Sequence, residues 1–121
     1  MADNKPKERS FLLTKDFLTS IVATCEKEIS IVEHQMLYYL SEKPKNRYVL
    51  SLLSELYSAD CRLVKEFDFH LKHGVPEKNK AGEECVCFAQ QQFYIVQSLV
   101  MTRHFITSDI LSNTNISICE N

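Results

Sequence analysis

Apolar side chains recur at alternating spacings of four and three residues in two successive segments, and this periodicity constrains the fold more than any other feature. Such a heptad seam is typical of α-helices that pack side by side. Because only a short turn around Pro44 separates the two segments, the helices are expected to run antiparallel. The first seam consists of Leu18, Val22, Cys25, Ile29, Val32, Met36 and Tyr39. The second consists of Leu53, Tyr57, Asp60, Val64, Phe67 and Leu71.

Capping and helix-breaking residues predict where these two helices begin and end. Ser10 or Thr14 can cap the first helix and Asn46 the second, because their side-chain oxygens can accept hydrogen bonds from first-turn N–H groups. Pro44 ends the first helix. Gly74 is followed closely by a proline, which predicts the end of the second helix with the glycine at its C-terminal cap.

A third segment, from about residue 85 to 111, is apolar almost all the way round. Its only formal charges are Arg103 and Asp109. An ordinary surface helix has one apolar stripe and one charged face, so this helix must be covered on more than one side. Two other helices in so short a chain can hardly cover it completely. The segment therefore predicts a binding partner, either another protein or a second copy of the chain.

Together these patterns predict an all-α fold, an elongated antiparallel three-helix bundle that resembles a coiled coil. The bundle is expected to span residues 10–111, with a polar loop over residues 77–84 between the second and third helices. Residues 1–9 and 112–121 are polar and are predicted to be flexible tails. A chain of 121 residues fits one such domain.

Four residues of the third helix form a line that the intrachain packing does not require: Tyr94, Ser98, Met101 and Phe105. Tyrosine, phenylalanine and methionine are enriched in the cores of protein interfaces. This line is therefore the predicted partner-binding surface. In the alternative interpretation, the first two helices tilt and bury the line within the chain.

Three polar residues are predicted to lie inward. Asp60 falls on the apolar seam of the second helix, level with about Cys25 to Glu28 of the first helix. Since a buried carboxyl group needs a hydrogen-bond partner, Gln97 of the third helix is the expected partner. His104 is expected to be a satisfied core histidine, and Arg103 is expected to extend past the helix edge or to pair with an acid of a partner chain.

The alternative to an interaction module is a zinc or thiol-redox protein. Its candidate ligands are His70, His73, Cys85 and Cys87, which flank the predicted loop between the second and third helices. Two features argue against it: structural zinc sites usually have two to four residues between paired cysteines, and cysteines two apart on a helix point in nearly opposite directions. No metal or other cofactor is expected.

The charge, hydrophobicity and cysteine content of the chain argue against several classes of function. A net charge of −2 gives no general attraction to nucleic acid, and no uncharged apolar run reaches the length of a membrane span. The N-terminus has no secretory signal and the cysteine count of five is odd, which favours reduced thiols in the cytoplasm or nucleus. No nucleophile, second acid or cleft accompanies Asp60, so the sequence predicts a non-enzymatic adaptor or small subunit.

Overall fold

The computed structural model describes residues 10–42, 44–114 and 116. In this part of the chain, three long α-helices pack together with a small antiparallel sheet at one end. The elements in chain order are β1 (Ser10–Thr14), α1 (Lys15–Ser41), α2 (Arg47–His73), β2 (Val75–Lys78), β3 (Glu84–Ala89) and α3 (Gln90–Asn113). Among the described residues, no helix combines the length and the hydrophobicity needed to cross a lipid bilayer.

The predicted N-terminal caps of the first two helices are confirmed. The N–H of Phe17 donates to Thr14 Oγ1 over 3.1 Å, and the N–H of Val49 donates to Asn46 Oδ1 over 3.2 Å. Gly74 ends α2 as predicted, but its φ of −73° is accessible to any residue. Glycine is required there by close packing instead, because a Cβ atom would collide with the backbone of α2 and with Val86.

The prediction of an all-α fold was wrong in one respect, since three segments that it placed at a helix start, in a loop and within a helix form β1, β2 and β3. β3 lies in the middle of the sheet, with β1 and β2 antiparallel on either side. From periodicity alone, its apolar run predicts the start of the third helix, although so short a run fits a strand equally well. In the structure this run pairs with β1, about 75 residues earlier in the chain, and it is therefore a strand.

The hairpin between β2 and β3 is closed by Asn79. Its side-chain oxygen accepts from the N–H groups of Ala81 and Glu83, at 3.0 and 2.9 Å. Gly82 adopts a φ of +81°, which favours glycine in this turn. The hairpin delays the start of α3 from about residue 85 to Gln90. This delay changes which residues of α2 and α3 face each other.

Two apolar clusters form the core. One lies at the sheet end of the helices and the other at the opposite end. The cluster at the sheet end contains Leu18, Cys25, Leu63, Phe67, Val86, Phe88, Val96 and Leu99. The cluster at the opposite end contains Val32, Val49, Leu52, Leu53, Leu56, Ala59, Ile106, Ile110 and Ile116. The predicted seams supply both clusters, although Tyr57 is 37% exposed.

The C-terminal end of the domain lies beyond the predicted boundary at residue 111. α3 continues to Asn113, and Ile116 is only 6% exposed within the core. The predicted N-terminal tail, residues 1–9, and most of the predicted C-terminal tail, 112–121, lie outside the described residues.

Candidate functional site

A layer of charged side chains separates the two apolar clusters. Each helix supplies one member: Glu28 from α1, Asp60 from α2 and Arg103 from α3. Glu28 and Asp60 are 4% and 0% exposed. Arg103 donates from Nε and Nη2 to the two carboxylate oxygens of Glu28, at 2.9 and 2.6 Å, and its Nε lies 3.3 Å from Asp60 Oδ1. We call these three residues the charged layer.

The protonation of the charged layer follows from its burial. Burial raises the pKa of Asp60 to about 8, and the negative charge of Glu28 acts in the same direction. The hydrogen bond to Glu28 raises the pKa of Arg103. A neutral Asp60 beside the Glu28–Arg103 ion pair leaves the layer without net charge near neutral pH. This balance of charge lowers the free-energy cost of burying the three side chains away from water.

Cys25 lies against the same layer, and its thiol is expected to have low reactivity. Burial, followed by the negative charge of Asp60, raises the pKa of its thiol to about 12. The thiolate is the nucleophilic form of cysteine, so Cys25 is kept in the unreactive form. Asp60 is itself inaccessible, at 0% exposure. The layer therefore has the character of a structural element that joins three helices.

The inward position of Asp60 was predicted correctly, and so was its level opposite Cys25 and Glu28. The partner was wrong: Gln97 is exposed and takes no part in the layer. Arg103, expected at the helix edge, is the residue that reaches Asp60. His104 was also wrong as a core residue, because it is exposed and lies beside the ring of Phe105 at 6.0 Å.

The opposite side of α3 carries the predicted partner-binding residues, and all four are exposed. We call Tyr94, Ser98, Met101 and Phe105 the outer face. Tyr94, Met101 and Phe105 are 51%, 49% and 60% exposed. The alternative in which the other helices bury this line is therefore wrong. Met101 precedes Arg103 by two residues, about 200° around the helix, so the outer face points away from the charged layer.

Tyr94 is held at the sheet end of the outer face. Gln90 Nε2 donates to its hydroxyl oxygen over 3.1 Å. The ring of Phe11, from β1, lies 6.3 Å from that of Tyr94 and stacks on Phe93 at 4.1 Å. These contacts fix one end of the outer face to the sheet.

A second apolar surface lies near the end of α1. Leu37, Tyr38 and Leu40 are 68%, 58% and 46% exposed. Leu37 and Leu40 border a groove of about 280 Å³ together with Tyr57 of α2. The outer face of α3 and this α1 groove are therefore two separate groups of exposed apolar side chains.

The four residues considered as zinc ligands do not form one group. Cys85 and Cys87 lie on β3, so they share one side of a strand and do not point apart as they would on a helix. His70, His73 and Cys87 border one cleft of about 420 Å³, but Cys85 does not. In the described part of the chain, no three histidine, cysteine, aspartate or glutamate side chains are placed to hold one metal ion.

Comparison with protein-family models, curated protein sequences and solved structures gives no match.

Proposed function

We propose that this protein is a non-enzymatic interaction module that binds a partner protein through the outer face of α3. The observation that supports this proposal is the exposure of three large apolar side chains, Tyr94, Met101 and Phe105, along one line of one helix. Contiguous exposed apolar residues on a water-soluble surface are characteristic of binding sites. Two aromatic residues and a methionine also match the residue types enriched in interface cores.

The packing behind the outer face favours the same function. α3 is fixed from behind by Arg103 in the charged layer and by Leu99 and Ile106 in the two apolar clusters. A helix already ordered in this way loses little conformational entropy on binding, and preorganisation of this kind increases affinity. The outer face is thus a rigid line of side chains spaced over about three helical turns.

The chemistry of the outer face indicates the kind of partner. None of its four residues carries a charge, so the complementary surface is expected to be apolar, such as a hydrophobic groove or the apolar face of another helix. A second copy of the chain would meet no charge repulsion there. An enzymatic role has less support, because the described candidates Asp60 and Cys25 are buried at 0% exposure.

The decisive experiment compares two variants that add the same charge at two exposed sites. Met101→Glu places a carboxylate in the middle of the outer face, and Ser54→Glu places one on the exposed side of α2. Sedimentation measures self-association, and affinity capture followed by mass spectrometry measures partner binding. Met101→Glu is expected to lose association that Ser54→Glu retains, while circular dichroism and the melting temperature of both variants stay close to those of the wild type.

Two results would contradict the proposal. One is association that persists in Met101→Glu. The other is loss of association in Leu37→Glu alone, which would assign binding to the α1 groove instead. If Met101→Glu unfolded the chain, the outer face would belong to the core, contrary to its exposure in the structure.

A further inference from the structure

A groove between the end of α2 and the start of α3 combines several features of an anion site. It consists of two adjoining clefts of about 400 and 420 Å³, which share Phe69, His70 and Gln92. Lys65 and Glu66 border the first cleft. Volumes of this size are typical of pockets that accept small molecules. We call the pair of clefts the α2–α3 groove.

His70 supplies an unsatisfied polar atom at this groove. The imidazole is 9% exposed, with its ring centroid 4.3 Å from that of Phe88 and 5.6 Å from that of Phe69. Its Nε2 atom is buried and has no hydrogen-bond partner among the described residues. The nearest carboxylate oxygen, from Glu66, is 4.0 Å away, beyond hydrogen-bonding distance. A buried nitrogen in this state gains free energy from any ligand atom that pairs with it.

The N-terminus of α3 borders the same groove through Ala89 and Gln92. Ala89 occupies the N-cap position and cannot cap with its side chain, and the first turn contains no acidic residue. The N–H groups of Gln90, Gln91 and Gln92 therefore have neither an intrahelical acceptor nor a side-chain cap. They carry the partial positive charge of the helix dipole. Gln92 borders both clefts, which places this end of the helix in the groove.

We propose that the α2–α3 groove binds a small oxyanion, a carboxylate or phosphate group of a small molecule. The oxyanion accepts hydrogen bonds from the first-turn N–H groups of α3 and from His70 Nε2, and Lys65 adds positive charge at the rim. Phe69, 57% exposed, offers an aromatic surface for the body of the ligand. The negative charge of Glu66 repels the anion, so this carboxylate limits the affinity of the groove for the anion.

Titrations followed by ¹⁵N NMR test this site directly. Inorganic phosphate and acetate are added separately to the full chain, which distinguishes phosphate from carboxylate recognition. Saturable shifts are expected at the amides of Gln91 and Gln92 and at the His70 ring. His70→Phe, which keeps a ring against Phe88, is expected to weaken binding roughly tenfold through loss of one charge-assisted hydrogen bond.

Two further variants make the result specific. Glu66→Gln removes the opposing charge without changing the side-chain shape, and it is expected to tighten binding several-fold. His104→Phe changes an exposed histidine elsewhere on α3 and is expected to leave binding unchanged. Glu66→Gln still tests the site if His70→Phe fails to fold, since Glu66 is on the surface side of the pair.

Three outcomes would overturn the proposal. Shifts that do not saturate would show that the anions act only through ionic strength. Equal affinity in the wild type and a folded His70→Phe, or no gain in Glu66→Gln, would show that the unpaired imidazole is not the binding group. Stoichiometric Zn²⁺ binding that displaces phosphate would assign the groove to a metal ion.

Discussion

Arg103 on α3 holds Glu28 on α1 by two hydrogen bonds, with donor–acceptor distances of 2.9 and 2.6 Å. The two residues are 75 positions apart, and their ion pair is almost fully removed from solvent on the Glu28 side, at 5% side-chain exposure. Asp60 of α2 lies 3.3 Å from the same guanidinium. One arginine therefore connects all three helices at the boundary between the two apolar clusters.

Arg103→Met is expected to destabilise the fold strongly. The substitution leaves Glu28 and Asp60 buried without a cation, and breaking a buried pair in this way typically costs about 3 to 5 kcal/mol. Urea denaturation measures the loss in the free energy of unfolding. Lys72→Met is the matched control, because it breaks an exposed ion pair with Asp68 of similar length, 2.9 Å, and should change stability by less than about 1 kcal/mol. Similar losses in both variants would show that the charged layer is solvated.

Gly74→Ala is expected to be more disruptive than Gly82→Ala. A Cβ at position 74 would collide with the His70 carbonyl group and with Val86, which forces β3 away from α2. At position 82 there is open space, and only the φ of +81° opposes alanine, at a cost of about 1 kcal/mol. Thermal unfolding compares the two variants. If Gly82→Ala were the more damaging substitution, the packing of the sheet against α2 would be looser than described.

Cys25 is expected to resist alkylation in the folded protein at pH 8. With a pKa near 12 its thiolate fraction at that pH is very small, and the side chain is also 0% exposed. Among the four cysteines that the structure describes, Cys61 and Cys87 are half-buried and are expected to react before Cys25 and Cys85. Mass spectrometry of peptides after iodoacetamide treatment identifies the modified residues, with protein in urea as the fully reactive control. Early modification of Cys25 would mean that α1 and α2 separate readily at this level.

The helix periodicity predicted the inward side of α2 and the exposed side of α3, because both depend only on local spacing. Asp60 and Met101 are the clearest examples. The cross-helix pairing on the α3 side could not be predicted in the same way. Asp60 meets Arg103, six residues beyond the expected Gln97, a displacement of about 9 Å along α3. The β2–β3 hairpin between the helices causes this displacement.

The sheet itself gave little local signal in the sequence. β1 and β3 pair over five positions, from Ser10 with Ala89 to Thr14 with Cys85. Each segment is a short apolar run, which suits a strand, a helix end or a buried loop equally. Their pairing depends on tertiary contact between two segments about 75 residues apart in the chain. For the same reason the sequence does not predict the α2–α3 groove at His70, because α2, β3 and the start of α3 together supply its lining.

Asp60→Asn is expected to change the pH dependence of stability. In the wild type, burial and Glu28 raise the pKa of Asp60 from 3.8 to about 8 in the folded state. Between these two values the folded chain binds a proton that the unfolded chain has lost. Stability therefore falls as pH rises from about 4 to 8, by up to about 1.4 kcal/mol for each pH unit from this group, and above pH 8 the loss is complete.

The asparagine variant lacks this titration but keeps the shape of the side chain. Urea denaturation of both proteins at pH 6 and pH 8 is expected to show Asp60→Asn gaining about 2 kcal/mol relative to the wild type across that interval. Asp109→Asn, at an exposed position of α3, controls for loss of one negative charge and should follow the wild type. If the difference between wild type and Asp60→Asn were constant with pH, Asp60 would be ionised throughout. The charged layer would then carry a net negative charge between the two apolar clusters.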